Sequence, residues 1–239
     1  MEPTPDRFSH TPPVDPSRQA PPREKVFNAP LLPVLLAASM PALFVFQSRA
    51  SDGWVGLAFS PAELAEGRLG GLFTAMLVHG GWVHALMNAV GALTFGTPVA
   101  RLLRGAGGVV AFLALYIVSG VAGSLGYGLV HLGQPELMVG ASGAVFGLIG
   151  AATRLLGGQG RVLALTDRRV ITSAIAWMAV NALVGLIGFA PGADGARIAW
   201  EAHAFGFLAG LLLIGPLARL FGRPKSAFDS ADGLSDPRF

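Results

Sequence analysis

Residues 108–131 read GVVAFLALYIVSGVAGSLGYGLVH, and none of these 24 positions is Asp, Glu, Lys or Arg. As a helix rising 1.5 Å per residue the stretch reaches about 36 Å, enough to cross a hydrocarbon layer of about 30 Å. A helix facing water on one side needs a polar stripe, and this one has none. The stretch predicts a membrane span.

Five further apolar blocks lie around it, at 29–47, 82–102, 141–156, 170–190 and 198–221. The fourth span, 141–156, is short, and Leu137 to Val139 can extend it. Pro33 and Pro41 predict a kink in the first. Composition agrees with the spans: 52% of residues are hydrophobic and only 13% charged, where a soluble domain carries about 25% charged. The 33 glycines suit helices that pack through small residues in lipid. The expected fold class is all-α, a polytopic six-helix membrane bundle over residues 29–222. Residues 1–28, with seven prolines, predict a disordered cytoplasmic tail, and 223–239 a short polar one. Ser48-Arg49-Ala50 has the small-residue spacing of a signal-peptidase site, but the long polar tail before the first span argues for a retained helix.

The isoelectric point near 9.9 does not point to nucleic acid, because the basic residues sit in short loops between spans. Arg18, Arg23 and Lys25 precede the first span; Arg101 and Arg104 follow the second. Arg154, Arg161, Arg168 and Arg169 follow the fourth, and Arg219, Arg223 and Lys225 end the sixth. The alternate loops hold Arg49, Arg68 and Arg197. That bias places both termini in the cytoplasm, and the Ala/Gly-rich composition suggests a bacterial inner membrane. The 48–81 connection then lies outside. Its apolar residues (Trp54, Leu57, Phe59, Leu69, Leu72, Phe73) predict a segment dipping into the interface. With no cysteine, disulfides, thiolate metal sites and a cysteine nucleophile are excluded.

Polar side chains inside spans are costly and mark functional sites by default. His84 and Asn88 lie in the second span, Ser142 opens the fourth, and His203 lies in the sixth. Counted from the outer ends, all four fall within roughly 10 Å of the same boundary. Singly, each has a bland reading. Ser142 is a small packing residue beside Gly143, and His203 a buried imidazole bonded to a carbonyl. Together, at one depth, they suit a nucleophile and its general base. Gly206 and Gly210 on the sixth span would let it approach Gly143 and Gly147 on the fourth. His84 and Asn88, four residues apart on one face, suit an oxyanion hole together with the Ser142 amide. No Asp lies in any span, and Glu201 faces away from His203 and is placed to pair with Arg197, so a Ser–His dyad is expected. Zinc is disfavoured because the residue four after His84 is Asn and no carboxylate completes a ligand set; neither metal nor other cofactor is expected. His79 organises the outer loop, while His131 and His10 are incidental.

Three motifs, His79-x4-His84-x3-Asn88, Gly140-Ala141-Ser142-Gly143 and Ala202-His203-x2-Gly206-x3-Gly210, resemble those of the rhomboid family of intramembrane serine proteases, in the same order and on matching helices. The resemblance covers residues 29–221. It implies Ser142 as nucleophile, His203 as base, oxyanion stabilisation by His84, Asn88 and the Ser142 amide, and substrates that are single-pass membrane proteins cut near their outer boundary. Two positions depart from the family pattern. Gly70-Gly71 stand where many members carry Trp-Arg, a role Arg68 would share, and Phe146 replaces the Tyr that stacks on the histidine. A proteolytically silent rhomboid-like chaperone or scaffold is the alternative from another class, disfavoured by the complete Ser142–His203 pair. A small-solute transporter is a distant third, because no span carries a charged pair.

Overall fold

A computed structural model describes residues 29–188 and 198–222. The two tails expected at 1–28 and 223–239 lie outside those residues. Among the described residues the fold is all-α, with eight helices: α1 (Leu31–Gln47), α2 (Pro61–Ala65), α3 (Gly71–Thr74), α4 (Trp82–Leu102), α5 (Gly105–Val130), α6 (Ser142–Thr153), α7 (Arg168–Ile187) and α8 (Trp200–Phe221). The six longest fall at the six predicted blocks. Four of them, α4, α5, α7 and α8, are long and apolar enough to cross a membrane; α1 and α6 are apolar but shorter.

The short helix is the centre of the molecule. α6 has 12 residues, and all but Ser142 and Phe146 are buried. It packs between α8, α5 and α4, around a core that includes Phe112, Leu115, Leu148 and Ile214. Its rise is about 18 Å, well short of the hydrocarbon thickness. A helix this short starts below the surface, and the chain leading into it need not be helical if protein surrounds it. Leu137 to Val139 do not extend α6, contrary to expectation. Met138 instead forms an isolated antiparallel bridge with Phe59 (N···O 2.8 and 2.9 Å), which ties the incoming chain to the 48–81 loop. At its other end α6 stops at Thr153 instead of continuing to 156, and the chain turns through Gly157 and Gly158.

Glycines bring α6 and α8 backbone to backbone. A Cβ on Gly206 would overlap the Gly143 carbonyl, one on Gly210 the Gly147 carbonyl, and one on Gly150 the Phe207 carbonyl. The close approach expected of Gly143, Gly147, Gly206 and Gly210 is present. α7 differs: of its 20 residues only Val170 and Asn181 are buried.

The 48–81 loop divides its apolar residues between two environments. Phe59 and Leu72 are buried with Ala75, whereas Val55, Leu69, Phe73 and Leu77 are exposed. Gly71 shows why a large side chain is absent there. A Cβ would stand 2.9 Å from Ala58 O and Phe59 Cα, whereas Gly70 has open space. Arg68 bonds to Glu63 and Glu66, closing a local turn instead of anchoring the loop to the bundle.

Candidate active site

The first turn of α6 starts at Ser142, with no side chain capping it, so its leading N–H groups lack intrahelical partners and carry the positive end of the helix dipole. Gly140 makes that entry possible. Its φ of +125° belongs to glycine, and a Cβ there would stand 2.7 Å from His84 Nε2 and 3.7 Å from Ser142 Oγ. His84 and Ser142 thus border one small volume beside Gly140. The Gly140 N–H donates to Ala75 O at 2.9 Å, fixing the non-helical segment that leads into α6.

Close packing of α6 on α8 sets the central contact. His203 Nε2 lies 2.9 Å from Ser142 Oγ. The imidazole stacks on Phe146, with centroids 4.3 Å apart and planes 3° from parallel. An apolar ring therefore does the stacking, as the sequence reading allowed. The other ring nitrogen, Nδ1, lies 2.9 Å from Asn181 Oδ1 on α7. The expected dyad has a third neighbour. Sequence reasoning sought a carboxylate and found none; the residue present is a neutral amide. Two sequence features could have flagged it: Asn181 is polar within a predicted span, and it sits six residues before the end of α7, about 9 Å along the helix.

On α4, His84 Nδ1 accepts the Gly80 N–H at 3.2 Å, so a neutral His84 carries its hydrogen on Nε2, facing the Gly140–Ser142 turn. Asn88, buried, donates through Nδ2 to its own helix at His84 O (2.9 Å), leaving one further N–H on that nitrogen. His79 is 1% exposed and packs edge-on against His84 at 5.5 Å. Its backbone is clamped twice by Gln47 at the end of α1, through Nε2 to His79 O (2.8 Å) and His79 N to Oε1 (2.9 Å). Neither ring nitrogen of His79 has a partner among the described residues. Burial, and secondarily the neighbouring His84, holds its pKa down at about 4.

His131 is not incidental. Its Nε2 lies 3.1 Å from Glu201 Oε1 and its Nδ1 3.1 Å from Gln134 Oε1, joining the end of α5 to the start of α8. Glu201 was expected to pair with Arg197, which lies outside the described residues. A cavity of about 460 Å³ opens on the cluster, with Ser142, His203, His84, Asn88 and Asn181 in its wall and Met87, Phe95 and Trp177 among its apolar lining.

A hydroxyl on an imidazole, beside a helix N-terminus and two further donors, is equipped to attack a carbonyl and hold the charge that develops. The comparison with known proteins points the same way: the Rhomboid domain family model matches residues 66–220, well over half of the chain. The chain belongs to the rhomboid family. With its apolar helices, membership makes it an integral, multi-pass membrane protein. Its relatives include the Bacillus subtilis rhomboid protein YdcA (28% identical over 152 residues, 63% of this chain and 68% of that one). RHOMBOID-like protein 5 of Arabidopsis thaliana is 30% identical over 152 residues, 62% of this chain and 44% of its own. Rhomboid protease GluP of Bacillus subtilis is 28% identical over 163 residues, 68% of this chain and 28% of its own. The rhomboid chain described here thus spans less than half of the two longer relatives.

Proposed function

We propose that this rhomboid protein is an intramembrane serine endopeptidase that cuts transmembrane segments of membrane proteins through Ser142 and His203. The observation that carries the reading is the 2.9 Å separation of His203 Nε2 and Ser142 Oγ. Family membership and protease-named relatives such as GluP support it. In the proposed reaction Ser142 Oγ attacks the scissile carbonyl while its proton passes to His203 Nε2. The electron pair driven onto the carbonyl oxygen is met by the Ser142 N–H, His84 Nε2–H and the Asn88 amide. His203 then gives the proton to the leaving nitrogen as the C–N bond breaks, and water, deprotonated by the same ring, frees the acyl group.

The substrates would be single-pass proteins cut near their outer boundary, at helix-weakening residues, because an intact helix hides its carbonyls from attack. The arginine bias between alternate loops supports both termini being cytoplasmic, and the Ala/Gly-rich composition and compact six-span layout support a bacterial inner membrane. Residues 29–222 would form the membrane domain and the tails its extensions.

A fluorophosphonate probe should label the wild-type protein in detergent, and Ser142→Ala should lose both labelling and cleavage of a model transmembrane substrate without change in melting temperature. Undiminished cleavage by Ser142→Ala would remove the nucleophile assignment and the reading with it.

A further inference from the structure

α7 contributes one polar side chain to the interior. Asn181 is 5% exposed on a helix that otherwise buries only Val170. A carboxamide held there is costly unless both of its halves are bonded. Both are: Nδ2 donates to the Trp200 carbonyl oxygen at 2.8 Å, and Oδ1 faces His203 Nδ1 at 2.9 Å.

The chemistry of the partners fixes which half is which. A carbonyl oxygen has no hydrogen to give, so the amide atom facing Trp200 O is the nitrogen. The other atom is then the oxygen, which only accepts, and the ring nitrogen facing it must carry a hydrogen. A neutral imidazole has one N–H. With that hydrogen on Nδ1, the lone pair of Nε2 is free and points at Ser142 Oγ, 2.9 Å away. From these contacts we propose that Asn181 is the positioning residue of the general base: it holds His203 in the Nδ1–H tautomer and in the plane that faces Ser142.

This inference rests on the proteolytic reading above. When Nε2 takes the serine proton, both ring nitrogens bear hydrogens, and Oδ1 stays bonded to Nδ1–H throughout. Phe146 stacked on the ring fixes its tilt, and Asn181 fixes its rotation in that plane. A neutral amide supplies the acceptor without adding a carboxylate that would need its own partner in an apolar span. The Trp200 carbonyl anchors the relay one turn before the histidine, so the base and its orienting group are referred to the same helix.

Two variants separate positioning from a mere tie between α7 and α8. Asn181→Leu keeps the branched outline and removes both the acceptor and the donor; Asn181→Asp keeps an accepting oxygen for His203 and removes the amide donor to Trp200 O. The expected result for Asn181→Leu is a fall in kcat of about 10- to 100-fold with KM little changed and a matching fall in fluorophosphonate labelling. Asn181→Asp should recover most of the labelling rate. Loss of rate in proportion to loss of melting temperature, with no recovery in Asn181→Asp, would overturn positioning, as would wild-type rates in Asn181→Leu. A readout on the unmutated protein covers the case where either variant fails to fold. In [15N]histidine-labelled wild type, with His203 assigned by the signal missing from His203→Gln, the resting ring should carry its proton on Nδ1; an Nε2–H resting tautomer would overturn the proposal. Wild type that resists the probe would instead defeat the proteolytic reading itself, a distinct outcome.

Discussion

Two flanks of the cavity are built by opposite means. On one, α6 and α8 meet backbone to backbone, with no room for a methyl group on Gly150, Gly206 or Gly210, the last two seated against the Gly143 and Gly147 carbonyls. On the other, α7 fully buries only Val170 and Asn181 and leaves Ile175, Leu183, Leu186 and Ile187 exposed, Leu186 at 80% and Ile187 at 65%. The first flank carries the serine and the histidine, whose reaction needs placement to a fraction of an ångström. The second carries one amide. Lipid is as apolar as leucine, so outward side chains on α7 gain little from moving inward. Glycine contacts gain from van der Waals fit at close range and are lost when the range opens. The rigid flank is therefore the intolerant one, and the outward side chains of α7, unlike Asn181, can vary without disturbing Ser142 or His203.

The contrast is broken most directly at Gly210. Gly210→Leu should yield no folded protein, and even Gly210→Ala should cost about 3 kcal/mol or more, because its methyl group would stand within the Gly147 carbonyl. Melting in detergent and fluorophosphonate labelling should fall together as α8 is pushed off α6. A Gly210→Ala protein that melts and reacts like wild type would mean that the seam does not set the distance between Ser142 and His203.

Much of this was legible beforehand, for reasons that differ from residue to residue. Helix α4 runs Trp82–Leu102, as the sequence predicts, because Gly80-Gly81 and Arg101 to Arg104 punctuate both ends of an apolar run. The depth argument that grouped Ser142, His84, Asn88 and His203 needed only rise per residue. Their assembly around one cavity follows from α6 and α8 packing through glycines that the pattern also displayed. What local pattern could not supply were pairings made across the chain. Met138 is extended because Phe59, 79 positions away in sequence, takes its backbone bonds. His131 meets Glu201 across a separation of 70 residues. Asn181 looks like any small polar residue in a span until the Trp200 carbonyl and His203 are placed beside it.

A smaller effect extends the comparison to the enclosed segment before α4, through pH. His79 is enclosed and held neutral, its pKa lowered to about 4 from 6.5 by burial first and by His84 second. Between those values the unfolded chain binds a proton that the folded protein refuses. Stability is thus complete above pH 6.5 and is lost as the pH falls toward 4, by roughly 3 kcal/mol over the window. Melting temperature in detergent should drop between pH 7.5 and 4.5, and His79→Gln should flatten that drop even if it starts from a lower value. An equally steep acid loss in His79→Gln would assign the sensitivity to another group.

The smallest effect belongs to α7. Leu186→Ala removes four-fifths-exposed surface that contacts lipid in the folded protein and would contact lipid in a partly unfolded helix as well. Transfer free energy nearly cancels between the two states, unlike the truncation of a core leucine in water, which costs several kcal/mol. Stability should change by less than about 0.5 kcal/mol, and labelling of Ser142 should be unaltered, because Leu186 lies more than a turn beyond Asn181. A large loss of labelling in Leu186→Ala would show that the C-terminal end of α7 controls the orientation of His203, and the two flanks would then have to be treated as one mechanical unit.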